Sequence, residues 1–228
     1  MSNLLEDLEQ GFLDLYKKYS DSPVISGLIS FVLKLPFFSI ATTPISEAIK
    51  TQFNNMLLER NQIFFNEIEK HKKLLTEETI QSKEFIHKFM ITYRAALRTH
   101  RKVKIESFGK LFTKSENEKE PVSIDLYEDY LSIIEDLSYR EFLTLNTLNF
   151  YEEKHPEADI DDYWNEFKVD LIKTIEISES EINPFMKRLE STGCYKSSFL
   201  ESSWGGSKER GILTEVYKNI IDLISKES

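Results

Sequence analysis

Apolar residues recur along this chain mostly at intervals of three and four, the spacing that gathers side chains on one side of an α-helix. Leu5, Leu8, Phe12 and Leu15 predict an amphipathic helix over residues 2–19, ending before Asp21-Ser22-Pro23. Val24 to Ala41 is the most apolar run, and Lys34 and Pro36 interrupt its second half. Both residues oppose a lipid-facing helix, and the run lies at the short limit for a span. A buried hairpin or broken helix is therefore favoured over an interfacial membrane contact, and both over a span.

After Pro44, a long helix starting from a Ser46 cap is expected to place Ile49, Phe53, Met56, Leu57, Phe64 and Ile68 along one side. Thr76 is expected to cap the next helix. That helix reads as one element through residues 80–112, packed through Ile86, Met90, Tyr93 and Leu97. Together the two predict an antiparallel helical hairpin. The stretch KSENEKEPVS, Lys114 to Ser123, has no apolar residue before Pro121 and carries the best boundary signal in the chain. The expected organisation is a helical domain at 1–114 containing the apolar segment 24–41, a linker at 115–123, and a second domain at 124–228.

The second part opens with two short helices, the later one capped by Ser138, and then a helix with the stripe Trp164, Phe167, Leu171 and Ile175. Ser178 and Glu181 fit a capping box, and Gly193 fits a left-handed helix stop. The helix between them would pack through Ile182, Phe185, Met186 and Leu189. CYKSSFLE alternates as a strand, Gly205-Gly206 supplies a turn, and RGILTE returns as its partner. A last helix, capped by Thr214, is anchored by Ile220, Leu223 and Ile224. Helix, turn, helix, β-hairpin, helix is the order of a winged helix-turn-helix. The expected fold class is thus mainly α: a helical bundle or hairpin followed by a winged-helix-like domain with a short β-hairpin.

LIKTIEISESEINPFMKRLESTGCY, Leu171 to Tyr195, resembles the bacterial winged-helix pattern, in which a serine-rich turn and a helix ending in Leu-x-x-x-Gly lead into the wing. ILTEVYKNIIDLI resembles the segment that follows such a wing, with Tyr217 where many relatives have glycine. A helical first half joined to this unit is similar to uncharacterised bacterial proteins, some labelled as phage abortive-infection proteins of the Abi-alpha type. That resemblance implies a regulatory or interaction role in bacterial phage defence.

Composition supports helix over a turn-rich β fold, since 228 residues hold only 7 Gly and 6 Pro. The one cysteine, Cys194, excludes an internal disulfide and any Cys-based zinc site, which fits a reducing cytoplasm. Glu6, Asp7, Glu9 and Asp14 are out of place in a secretory leader. The net charge of -10 is unevenly spread. Residues 1–120 hold 18 Lys+Arg and 16 Asp+Glu, whereas residues 121–228 hold 11 and 23.

The densest basic run is Lys70 to Lys110, with eleven Lys+Arg against four acids. Lys83, His87, Arg94, Arg98 and Arg101 fall in an arc beside the expected apolar face. They are the candidate residues for an anion or an acidic partner, whether nucleic acid, lipid headgroup or protein. A solvated face, or one paired with the acidic second half, is the plainer reading. In the second domain, Lys187, Arg188, Lys208 and Arg210 are the candidate nucleic-acid contacts. The helix that would read DNA begins Glu179-Ser180-Glu181 and is interrupted by Pro184, and its surroundings are acidic, so direct DNA reading is disfavoured.

No phosphate-binding Gly-x-x-x-x-Gly-Lys loop, Gly-x-Ser-x-Gly elbow or His-Glu-x-x-His pair occurs. His71, His87, His100 and His155 lack metal-ligand spacing and read as surface or boundary residues, and EADIDD lacks the glycine and distal glutamate of a calcium loop. Cys194 reads as a small buried residue. The expectation is a non-enzymatic, cytoplasmic regulatory or interaction protein without cofactor or metal, with a protein partner or self-association. A DNA-binding regulator is the alternative. Membrane contact is the least favoured interaction.

Overall fold

The computed structural model describes residues 2–34, 47–76, 79–117, 121–156, 160–200 and 208–225. Those residues are mainly helical, with ten α-helices and one two-stranded antiparallel sheet near the C-terminus. The chain divides into two compact units, Met1–Glu128 and Asp129–Glu227.

The first unit contains α1 (Ser2–Lys18), α2 (Pro23–Leu33), α3 (Glu47–Lys70), α4 (Lys83–Arg98), α5 (Lys102–Lys114) and the start of α6 (Ile124–Asp136). Helix α2 takes the first part of the apolar run and buries Ile25, Leu28, Ile29 and Val32. The rest of the run, from residue 35, lies outside the described residues. Among the described residues, no helix is long and apolar enough to cross a membrane.

Helices α3, α4 and α5 pack together, and the expected single helix over 80–112 is two. The chain leaves α4 at Thr99, which is extended (φ -95°, ψ 148°), and the Arg60 guanidinium donates to the Leu97 carbonyl at 2.5 Å. That bond satisfies one of the carbonyls every helix end exposes. No Gly or Pro marks the break, so turn chemistry did not announce it. Thr76 caps only a short 3-10 turn, Thr79–Gln81, and α4 starts from Ser82, whose hydroxyl accepts from Phe85 N at 3.0 Å.

The packed face of α4 also differs from expectation. Phe85, Phe89, Thr92, Tyr93 and Ala96 are buried, whereas Ile86, Met90 and Leu97 are half-buried. The aromatic rings decide this orientation. Phe89 stacks on Tyr93 with centroids 5.7 Å apart, and it contacts Phe64 of α3 and Phe112 of α5 at 6.3 and 5.7 Å. Tyr93 donates to Asn61 Oδ1 at 2.7 Å, so its hydroxyl is satisfied within the core. Gly109 lets α5 approach α3, since a Cβ there would stand 2.9 Å from Glu67 Cβ. Helix α3 is not apolar along one side throughout. Phe53 and Met56 in its first half are 53% and 39% exposed, and its packing begins in earnest near Asn61.

Inside this unit lies a buried ion pair. Lys88 Nζ is 2.8 Å from Glu116 Oε1, donates to the Val122 carbonyl at 2.9 Å and sits 5.3 Å from the Tyr127 ring centroid. The Tyr127 hydroxyl shares a short hydrogen bond with Thr92, whose own hydroxyl donates to the Lys88 carbonyl at 2.6 Å. Burial drives the Tyr127 pKa up, against the Thr92 hydrogen bond, so the ring stays a neutral phenol. Ser115 and Glu116, within the stretch expected to be a linker, are therefore buried parts of the first unit.

The second unit contains α7 (Tyr139–Lys154), α8 (Ile160–Ile175), α9 (Glu179–Glu190), β1 (Tyr195–Leu200), β2 (Lys208–Leu213) and α10 (Glu215–Ile224). The strands pair antiparallel from Tyr195 with Leu213 to Leu200 with Lys208. Ser138 caps α7 as expected and forms a full capping box with Glu141, while at Ser178 the Glu181 carboxylate accepts from the Ser178 backbone N–H; Gly193 has φ 74°, a conformation that suits glycine. Helix α9 buries Ile182, Phe185, Met186 and Leu189, and α8 buries Trp164, Phe167, Leu171 and Ile175, as their periodicity predicts. Tyr217 is fully buried on α10, its hydroxyl 3.3 Å from Asn146 Oδ1.

Two outcomes test this packing. Lys88→Met should destabilise the first unit by about 3–5 kcal/mol in chemical denaturation, because Glu116 is left as an uncompensated buried charge. The double variant Lys88→Met/Glu116→Leu should recover most of that loss. In the second unit, a Cβ on Gly211 would stand 2.3 Å from the Tyr195 ring and 2.4 Å from the Lys196 carbonyl. Gly211→Ala should therefore cost about 1–3 kcal/mol through a clash with backbone that cannot swing aside.

Candidate functional site

Helix α4 positions most of the cations singled out by the sequence. Lys83, His87, Arg94 and Arg98 are exposed at steps of four, seven and four residues. At about 100° per residue they fall within an arc of about 60°. That arc is opposite Phe85, Thr92 and Ala96, so the row occupies the outer face of α4 and does not run beside its packed face. The offset follows from the rotated core: the sequence reading centred the apolar arc on Ile86 and Met90, but Phe85 and Phe89 occupy the interior. From Lys83 to Arg98 the row spans about 22 Å at 1.5 Å per residue. Arg101 is exposed but belongs to the turn before α5, outside the helix that carries the others.

His87 Nε2 lies 2.7 Å from Glu128 Oε1, and both side chains are half exposed. Among the described residues, Lys83 and Arg94 meet no carboxylate within ion-pair distance. Lys83 and Arg94 therefore present positive charge on the outer face of α4, beside the His87–Glu128 contact.

Among the described residues of the second unit, the cations singled out by the sequence are Lys187 and Arg188 of α9. Arg188 Nε is 3.1 Å from Glu141 Oε1, and its guanidinium lies 5.0 Å from the Phe185 ring centroid. This arginine ties α9 to α7. Lys187 is exposed beside it. Lys208 and Arg210 are backbone partners of Leu200 and Ser198 in the sheet, and their side chains lie outside the described part. The start of α9 is occupied by Glu179 and Glu181. Glu181 accepts from the Ser178 hydroxyl and Ser178 N at 2.5 and 3.0 Å, and these bonds hold its carboxyl below the usual range. Ionised carboxylates thus stand at the helix end that would have to approach phosphate.

No protein-family model, curated protein or solved structure matches the chain.

A second constellation, at the end of α3, was missed in the sequence. Glu67 and His71 were given no joint role, yet both are buried, with His71 Nε2 3.3 Å from Glu67 Oε1 and Lys70 Nζ 2.7 Å from Glu67 Oε2. Their four-residue spacing within a helical stretch was the available signal. Burial lowers the His71 pKa; Lys114 and Lys110 lower it further, while the Glu67 charge and hydrogen bond act in the other direction. The other histidines fit the expected surface or boundary role, with His87 and His100 exposed and His155 half-buried against Tyr163. Among the described residues, no group of three or more His, Cys, Asp or Glu side chains could hold a metal ion. Cys194 is buried, and burial raises its thiol pKa, which disfavours the reactive thiolate.

The lowered His71 value gives a pH signature for the first unit. With the folded pKa below an unfolded value of about 6.5, the contribution of His71 to stability is present above that pH and is lost as pH falls through the folded value. Thermal unfolding from neutral to mildly acid pH should show this loss, and His71→Gln should flatten the dependence.

Proposed function

We propose that the chain is a non-enzymatic interaction or regulatory protein that engages an acidic protein partner through the outer face of α4. The observation that carries this reading is the row Lys83, Arg94 and Arg98, exposed on one side of a helix whose other side is locked by aromatic packing. A rigid helix holds its cations in register at little entropic cost on binding, and positive charge along it speeds encounter with an acidic surface. On this reading, the second unit is a winged-helix-shaped module used for protein contact. The order α7, α8, α9, hairpin, α10 supports that shape. The resemblance to abortive-infection proteins supplies bacterial phage defence as the setting, and the single buried cysteine is compatible with a reducing cytoplasm.

The same order of elements also supports a DNA-binding regulator. Charge weighs against it: residues 129–228 hold 11 Lys+Arg and 21 Asp+Glu, and α9 begins with two carboxylates. Phosphate neutralisation supplies most non-specific affinity for a duplex, and a unit of this charge is repelled instead.

Fluorescence anisotropy with two labelled probes, a glutamate-rich helical peptide and a mixed-sequence DNA duplex, distinguishes the readings. The peptide should bind at low salt, weaken as salt rises, and lose about tenfold or more in affinity in Lys83→Glu/Arg94→Glu. Tighter binding of the duplex than of the peptide, retained in that variant, would replace this reading with the DNA-binding one.

A further inference from the structure

Two neighbouring residues of α4 meet two neighbouring residues near the start of α6, one pair inside the first unit and one at its surface. In the inner pair, Lys88 Nζ lies 5.3 Å from the Tyr127 ring centroid. Tyr127 is fully buried and shares its hydroxyl with Thr92, so the start of α6 is fixed on α4. In the outer pair, His87 Nε2 lies 2.7 Å from Glu128 Oε1, and the two side chains are 50% and 51% exposed. Lys88 and its counter-ion Glu116 are shut off from water, whereas the outer pair is open to it. An exposed pair of this kind is worth about fivefold at most in an equilibrium constant, so it can be exchanged without disturbing the packing beneath it.

The outer contact lies within the basic row. His87 stands between Lys83 and Arg94 on the outer face of α4, so Glu128 puts a carboxylate of the chain itself into the middle of that face. Asp125, three residues earlier in α6, is also exposed, and among the described residues no hydrogen bond or ion pair joins it to α4. We infer that Glu128 is a built-in competitor: its carboxylate covers His87 until a carboxylate of an acidic partner displaces it. This rests on the reading that α4 takes an acidic protein partner, and it adds how that site is regulated. Exchange of one carboxylate for another leaves His87 paired, since its Nε2–H can donate to either. Helix α6 holds Glu128 at a high effective concentration, which gives it the advantage over any single free carboxylate. A partner recovers that loss by meeting Lys83 and Arg94 in the same encounter, and these lie about 17 Å apart along the helix at 1.5 Å per residue. The competitor therefore selects ligands with several acids spaced along one surface and rejects isolated carboxylates.

Fluorescence anisotropy of the labelled glutamate-rich helical peptide with the full chain, at about 0.05 M salt, measures the competition. Glu128→Gln removes the charge, keeps the length of the side chain, and should tighten peptide binding by about two- to fivefold. Asp125→Asn removes the same charge three residues away and should tighten binding much less, which separates release of His87 from a general gain in positive potential. In a His87→Ala background, Glu128→Gln should do no more than Asp125→Asn, because the carboxylate then has nothing to cover. Unchanged or weaker binding by Glu128→Gln would overturn the competitor and leave the peptide site in place. So would an Asp125→Asn effect as large as that of Glu128→Gln, or a Glu128→Gln effect that survives the loss of His87. Binding seen in Glu128→Gln but not in wild type would support the competitor. If neither bound the peptide, the α4 site itself would fall and the competitor with it.

Discussion

Lys88 holds a positive charge inside the first unit, and the chain after α5 is arranged around it. An ammonium removed from water needs its hydration replaced by protein groups, or its burial is prohibitive. Glu116 compensates the charge, the Val122 carbonyl accepts a second hydrogen bond, and the Tyr127 ring lies near as a third partner. Residues 115–117 therefore cannot trail off as a solvated tether, and the start of α6 is drawn onto α4. Thr92 continues the same network through Tyr127 and back to the Lys88 carbonyl. The direction of the outer α4 face follows from this arrangement, since Lys88 and Phe89 point inward and leave Lys83, Arg94 and Arg98 outward.

The second unit uses its acidity in a comparable way. Glu141 caps α7 with one carboxylate oxygen and receives Arg188 of α9 with the other. Glu152 accepts from Leu213 N at 2.7 Å and lies 3.3 Å from Lys218 Nζ, joining α7 to the hairpin and to α10. Glu190 accepts from the Ser197 backbone and hydroxyl, which hold its carboxyl below the usual range, and Asp170 accepts from Tyr151, whose phenol burial and then that hydrogen bond push up to about 12. A large net charge therefore does not translate directly into a charged partner surface. Several carboxylates are internal connectors, each taking up a backbone or side-chain donor that would otherwise be unpaired.

Lys83 and Arg94 differ from the cations of the second unit in how they are engaged. Arg188 sits in the segment that resembles a winged helix, yet its guanidinium is engaged by Glu141 and Phe185. Lys83 and Arg94 sit in a stretch with no family signature, yet among the described residues they are unmatched by carboxylates. Motif position and availability for binding diverge in this protein, and availability is the physical requirement.

Sequence alone determined the elements whose signals are local. The helix stripes of α8 and α9, the Ser138 cap, the Ser178–Glu181 pair, the Gly193 stop and a hairpin of 194–201 with 210–215, observed as 195–200 with 208–213, each depend on neighbours within a few residues, so they could be read in order along the chain. The basic run around α4 was equally visible as composition. Tertiary structure decided what depends on distant partners. It broke the helix at Thr99 where Arg60 could reach the Leu97 carbonyl, turned α4 so that Phe85 and Phe89 face Phe64 and Phe112, and buried Glu67, His71, Lys88 and Glu116. A charged side chain reads as exposed in sequence because burial is costly until a partner is supplied, and the partners of Lys88, Glu116 and the Val122 carbonyl, lie 28 and 34 residues away. The outer row of α4 changed place for the same reason: which side of a helix faces water is set by what packs against the other side.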